Sequence, residues 1–270
     1  MKLFSRILAG LACVSILTIS CKRENATPAN PIPESVIAQI AAKGFSTENV
    51  QKVDNGYLVE GDIVLTEKNL TEQTTSPYLN VANEEQYRTT NLVTGLPRTI
   101  SISVGGTLTG LTVWSNATND FIARYNALGL QITLQRVASG GQVNIVGFNQ
   151  GPSGGFITLG SSGFPSGGNP YPEIKMNTNA QAYGTNPNQG YITSVLQHEL
   201  GHCIGFRHTD YFSRSSCGKR KQNEGTAGIG AILIPGTPST ADPNSFMLAC
   251  SNGTDRTFNS NDVIALNYLY

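Results

Sequence analysis

The chain has 270 residues, with 18 basic and 18 acidic side chains, a formal net charge of zero and three histidines. Its charges are dispersed: there is no basic cluster, no aromatic-interleaved basic patch and no phosphate-binding glycine motif. The electrostatic footprint of a nucleic-acid binder is therefore missing.

Lys2 and Arg6 precede an apolar run from Ile7 to Ile19, too short to span a bilayer and fitting the h-region of a secretory signal. Thr18-Ile19-Ser20-Cys21 looks like a lipoprotein signal-peptidase site, which would make Cys21 the lipidated first residue; simple secretion is the competing reading. Export through residues 1–20 removes Lys2 and Arg6 and no acid, leaving 16 basic and 18 acidic residues, a net of −2. The expected place is a bacterial cell envelope, at the outer membrane or cell surface, with release after processing. Asn-x-Thr sequences such as Asn116-Ala117-Thr118 then carry no meaning as glycan sites. Residues 21–33 form a tether, rich in Pro, Asn, Ala and Thr from Asn25 onward.

From Glu34 the pattern becomes structured. Val36, Ile37 and Ile40 have helical spacing, and Tyr57-Leu58-Val59 and Ile63-Val64-Leu65 are strand-like runs split by Glu60-Gly61-Asp62, which reads as a hairpin turn. Residues 66–90 are polar and suit an exposed connector that an activating protease could cut. We divide the chain into 1–20, 21–33, a small unit at 34–90, and a main domain at 91–270.

In the main domain, Thr99 to Val104 alternates as a strand, Val113 to Leu128 has helical spacing, and strand patterns follow at Leu130 to Val137 and Val143 to Phe148. The stretch 150–172 is rich in Gly, Ser and Pro, apart from a short strand-like run at Gly155-Phe156-Ile157-Thr158-Leu159. A turn-rich region, 210–259, then leads to a helix over Asn261 to Tyr270.

All three histidines lie in His198-Glu199-Leu200-Gly201-His202-Cys203-Ile204-Gly205-Phe206-Arg207-His208. A helix capped by Asn188 places His198 and His202 on one face, while Ile192, Val195, Leu196 and Leu200 put another face in a core. Gly205 turns the chain back, so His208 can become a third ligand. Three imidazoles with one open position are a catalytic zinc arrangement, since structural sites are closed by four protein ligands. A single Zn2+ lowers the pKa of bound water to roughly 7, and Glu199 is positioned as general base and later general acid.

This motif resembles the extended zinc motif of the metzincins. The wider run HELGHCIGFRHTDYF, with the tail FNSNDVIALNYLY, is similar to the bacterial dual-action HEIGH metallopeptidases. The resemblance implies an α+β fold: a mixed twisted sheet with two main helices above the zinc cleft (residues 91–205) and an irregular lower subdomain (206–270) ending in a helix. It implies that Met247, in Ser245-Phe246-Met247, forms the Met-turn, although a methionine alone reads as a gap-filling core residue. It also implies that Phe156, Ile157 and Thr158 form a sheet edge where an extended peptide adds as a strand; a surface loop is the alternative. Leu58-Val59-Glu60-Gly61-Asp62-Ile63 resembles the propeptide signature of the astacin branch, with Val59 in place of the usual phenylalanine, so Asp62 would ligate the zinc and keep the enzyme latent. Where that branch has a tyrosine two residues after the methionine, this chain has Ala249; oxyanion stabilisation would fall mainly to zinc, with Tyr211 near enough in sequence to contribute.

Cys203, Cys217 and Cys250 remain for an oxidising compartment, and an odd count leaves one unpaired. Cys217 and Cys250 both lie in the turn-rich region, Cys250 just past Met247, so they are the expected disulfide, with Cys203 a buried thiol in the zinc helix. The expected function is a lipid-anchored zinc metalloendopeptidase, made as a zymogen and acting on peptides or proteins. The alternative is a catalytically silent envelope binding lipoprotein with the same fold.

Overall fold

In the computed structural model, residues 32–71, 86–153, 155–220, 231–238 and 242–270 are described. Cys21 and residues 72–85 of the connector lie outside them. Among the described residues no helix is long and apolar enough to cross a membrane.

Alternating apolar residues build the sheet. Strand β5 (Arg98–Val104) buries Ile100 and Ile102, and β7 (Val143–Phe148) buries Val143 and Ile145, each sending every second side chain to one face. Around them run β6 (Ile132–Arg136), β8 (Gly160–Gly163) and β9 (Glu173–Asn177), while β1 (Gln51–Val53), β2 (Gly56–Val59) and β3 (Ile63–Leu65) come from the amino-terminal unit. The strand order is β1-β2-β3-β8-β9-β7-β5-β6. Strands β5, β6, β7 and β9 are parallel, β8 is antiparallel to β9, and β3 pairs parallel to β8 through Ile63↔Ser162 and Val64↔Gly163. The amino-terminal hairpin is thus continuous with the sheet of the main domain.

Two long helices cover that sheet. The first, Thr112–Asn126, buries Trp114, Phe121, Ile122 and Tyr125. The zinc-motif helix, Gln189–Cys203, buries Ile192, Leu196 and Leu200, and all of these join one core with Ile100, Ile145 and Ile174. Each such side chain contributes about 1.5–3 kcal/mol by leaving water. A second core holds the amino-terminal unit: Ile40 from helix α1 (Glu34–Ala42), then Phe45, Tyr57, Val59, Ile63, Leu65 and Leu70, closed by Phe164. Leu58 and Val64 face the other way, into the main core. The hairpin therefore belongs to both.

The lower region contains a two-stranded piece, β4 (Tyr87–Arg88) with β10 (Ile232–Leu233), and a carboxy-terminal helix, Ser260–Leu269, opened by a capping box between Asn259 and Asp262.

The outermost strand of the main domain, which pairs with the hairpin, departs from expectation. Phe156, Ile157 and Thr158 do not form it: Phe156 forms an isolated bridge with Ser153, and the strand is Gly160-Ser161-Ser162-Gly163. The reason is steric. A Cβ at Gly160 would lie 2.8 Å from Glu199 Oε1, and one at Gly163 2.7 Å from the Tyr171 ring. The strand must be small where it passes the zinc helix, so the β-branched and aromatic residues that mark strands are absent from it.

Candidate active site

Asn188 starts the zinc-motif helix by accepting a hydrogen bond from Tyr191 N at 3.0 Å. Gly205 takes φ 111° just past the helix end, and two backbone carbonyls meet the histidines, one just past Gly205 and one in the turn before Met247. His202 Nδ1 donates to Phe206 O at 2.8 Å, and His198 Nδ1 donates to Phe246 O at 2.9 Å. With Nδ1 so engaged, both Nε2 lone pairs are left for a metal.

Those atoms converge with His208 and Asp62. His202 Nε2 lies 3.2 Å from His208 Nε2, His208 Nε2 3.1 Å from Asp62 Oδ2, and His198 Nε2 3.5 Å from the same oxygen. The ligand atoms of Asp62, His198, His202 and His208 all fall within 4.8 Å of one another. His198 Nε2 and Asp62 Oδ1 are buried without a hydrogen-bond partner, which is costly for a polar atom unless something else fills the role. Three imidazole nitrogens and one carboxylate oxygen suit one zinc ion.

Burial, with the neighbouring charges of His198 and His208, pushes the His202 imidazole well below its ordinary pKa and so toward the neutral, ligating form. Burial alone would raise the Asp62 carboxyl, but the charge of His208 and the close approach of the His198 and His208 imidazoles hold it well below the carboxylate range. Glu199 moves the opposite way, raised well above its ordinary value by burial and then by the charge of Asp62.

Glu199 also has a partner that the sequence does not announce. Ser162 Oγ lies 2.7 Å from Glu199 Oε2 and 2.8 Å from its backbone carbonyl, so β8 orients the carboxylate. Ser162 stands in a Gly/Ser-rich stretch, and no spacing or motif signals it.

Met247 is fully buried with its sulfur against Gly201, and its carbonyl accepts from Thr209 N at 2.8 Å. Cys217 and Cys250 are bonded, with Cα atoms 5.2 Å apart, and Cys203 is free and buried. Asp210 ties the floor together by accepting from Ser216 N at 2.8 Å and Ala249 N at 2.9 Å. Phe156, Ile157 and Thr158 line a cleft of ≈ 500 Å³ that also reaches Asp62, His198 and Glu199. Tyr211 does not line it: it is buried edge-on against Tyr87, with ring centroids 4.6 Å apart, which removes it as an oxyanion donor.

The sequence pattern that describes the dual-action HEIGH metallo-peptidases matches residues 57–270. The chain belongs to this family. The match spans the hairpin with Asp62 as well as the zinc helix. No curated protein sequence matches. Among solved structures, that of myroilysin is similar with a TM-score of 0.43 and 15% identity, over 67% of this chain and 95% of that one. As a HEIGH metallopeptidase, the protein acts on peptides or proteins, and its cluster of three histidines and one aspartate is able to hold one metal ion, consistent with a single zinc.

Proposed function

We propose that the protein is a zinc metalloendopeptidase synthesised as a latent, lipid-anchored zymogen. The observation that carries this reading is that Asp62, in the hairpin before the connector, sits among the three histidines while β3 covers the edge of β8. A carboxylate in a ligand position excludes water from it. A strand on β8 occupies the edge where an extended peptide would pair.

Cleavage within residues 66–90 would free Asp62 and β3 together. His198, His202 and His208 remain to hold zinc, which when bound lowers the pKa of water at the site. Glu199, fixed by Ser162 and raised by burial, accepts the proton and returns it to the departing amine, roles that suit a carboxylate whose pKa lies nearer neutrality. Loss of the negative Asp62 lowers Glu199 part of the way back. The new edge of β8 aligns the substrate backbone over Glu199. Lipidation at Cys21 would hold the chain at the bacterial envelope until processing releases the catalytic part.

The test is zinc content and casein hydrolysis by residues 22–270 before and after limited proteolysis, with Glu199→Ala as control. About one zinc per chain, with cleavage that appears on processing and vanishes in the variant, is the expected result. Stoichiometric zinc without turnover after processing would favour a silent binding lipoprotein, and absence of zinc would overturn the reading.

A further inference from the structure

The cleft carries a cation that the metal cluster does not use. Arg256, in the chain between the Met247 turn and the carboxy-terminal helix, lines the cleft with Tyr191, Ser194 and Val195 of the zinc helix. Its backbone is pinned to that helix. Arg256 N donates to Ser194 Oγ at 2.5 Å, and Gln197 Nε2 donates to the Arg256 carbonyl at 3.3 Å. Ser194 stands one helical turn, about 6 Å, before His198, so Arg256 is anchored close to the metal. The residue is half-buried, yet among the described residues its guanidinium has neither a hydrogen bond nor an ion pair.

The acids nearest to it are engaged elsewhere. Asp255, the preceding residue, is clasped by Arg124 through two hydrogen bonds of 2.9 and 2.8 Å. Asp210 accepts from Ser216 and Ala249, Asp242 from the amides of Asn259 and Asn261, and Asp262 from Gln86 and Phe246 N. These last three attract Arg256 only at longer range, and burial outweighs them, leaving its pKa below the ordinary arginine value. A rigid fork of donors shaped for a carboxylate thus stands without one in the cleft. Of the acids that line the cleft, Glu48, Glu60 and Asp62 belong to the amino-terminal unit and Glu199 to the main domain. When that unit leaves, Glu199 is the remaining lining carboxylate among the described residues, facing Arg214 and Arg256.

We infer that Arg256 is a specificity-determining residue, whose guanidinium takes the side-chain carboxylate of an aspartate or glutamate within about three residues of the scissile bond, the reach of an extended chain over that distance. The inference rests on the proposed reading, in which the cleft opens to peptide once the amino-terminal unit has left.

The test has one arm with turnover and one without. Zinc-loaded residues 22–270, processed in the connector, are given a mixed peptide library, and the cleaved products should carry an acidic residue at one fixed position from the cut. Replacing that residue by its amide in a synthetic peptide should lower kcat/KM about tenfold, the loss expected for one charge-assisted contact. Arg256→Gln should bring that ratio close to one, and Arg256→Lys, which keeps the charge without the fork, should leave it in between; zinc content equal to that of the wild type shows that each variant is folded. In the second arm the same processed chain, carrying Glu199→Ala and immobilised, captures peptides from the library. Acidic peptides should be enriched, and Arg256→Gln in that background should abolish the enrichment. Acidic preference absent from either arm, or unchanged by Arg256→Gln, overturns the inference. A variant that handles acidic and amide peptides equally poorly, with their ratio preserved, also overturns it and makes Arg256 a countercharge for Asp210, Asp242 and Asp262. Arg256-dependent capture by a protein that cleaves neither casein nor any library peptide counts against the peptidase reading and leaves the carboxylate site standing.

Discussion

The sulfur of Met247 lies where a side chain at Gly201 would have to go. A Cβ built on Gly201 falls inside Met247 Sδ and 2.9 Å from Phe246 Cε2, so the zinc helix and the turn carrying Met247 touch through a missing side chain. Phe246 also gives its carbonyl to His198. Alanine is the better helix former by about 1 kcal/mol, yet Gly201→Ala should destabilise the zinc-loaded protein by about 1–3 kcal/mol, as overpacking does, and weaken zinc retention by displacing Phe246. Urea unfolding and zinc release to a chelator measure both; a more stable variant would mean the two elements are not in tight contact.

Asp62 is the one member of the metal cluster from the amino-terminal unit, and its removal separates ligation from latency. Asp62→Ala should leave zinc bound by His198, His202 and His208, and the uncut chain should hydrolyse casein above the wild-type background. Zinc content by mass spectrometry and an activity assay without any processing step decide this. A fully zinc-loaded variant that stays silent until cut would make β3, not Asp62, the source of latency.

Ser162 tests how far the geometry of β8 reaches into chemistry. Ser162→Ala leaves Glu199 Oε2 without its hydroxyl partner, and such supporting contacts carry about 10–100-fold in activity. The loss should appear in kcat of the processed enzyme, with KM and zinc content unchanged. A matching rise in KM instead would indicate that Ser162 shapes the substrate edge and not the base.

Much of the site can be read in the sequence because its chemistry demands particular residue types at fixed spacing. His198, Glu199, His202 and His208 lie on one helix and the turn that ends it, and Gly205 explains how the last joins the others. Elements with alternating apolar residues, such as Val143–Phe148, are equally legible. The outermost strand of the main domain is not, because β8 is built of Gly and Ser to pass Glu199 and Tyr171, and the apolar run beside it, Phe156 to Thr158, carries the strand-like pattern instead. Ser162 is invisible for a different reason: its partner Glu199 lies 37 residues away, and nothing local encodes such a meeting.

The Cys217–Cys250 bond closes a loop of 33 residues around the floor of the cleft. Cys217→Ser with Cys250→Ser should cost roughly 3–4 kcal/mol in the chain-entropy account. Urea unfolding under non-reducing conditions should show the difference, and adding reductant to the wild type should abolish it. If both proteins unfold alike without reductant, Asp210 and its hydrogen bonds to Ser216 and Ala249 already hold the floor.

Asp262 gives the fold a pH dependence of its own. Burial lifts its carboxyl to about 6, against hydrogen bonds from Asn259 N, Phe246 N, Ser245 and Gln86; the ordinary value is 3.8. The folded chain therefore binds this proton more readily than the unfolded one. The resulting stability is fully present below pH near 4 and is lost as pH rises through about 6. Asp262→Asn removes the titration, and Gln86, whose Oε1 has no hydrogen-bond partner, can turn to accept from the new amide. The stability of the wild type minus that of the variant should fall by roughly 1.4 kcal/mol between pH 5 and pH 7.5, one pKa unit's worth of free energy. Taking the difference cancels the effect of acid on the histidines, which both proteins share. A gap that stays constant over that range, measured by urea unfolding, would mean that the hydrogen bonds offset burial and that Asp262 stays ionised throughout.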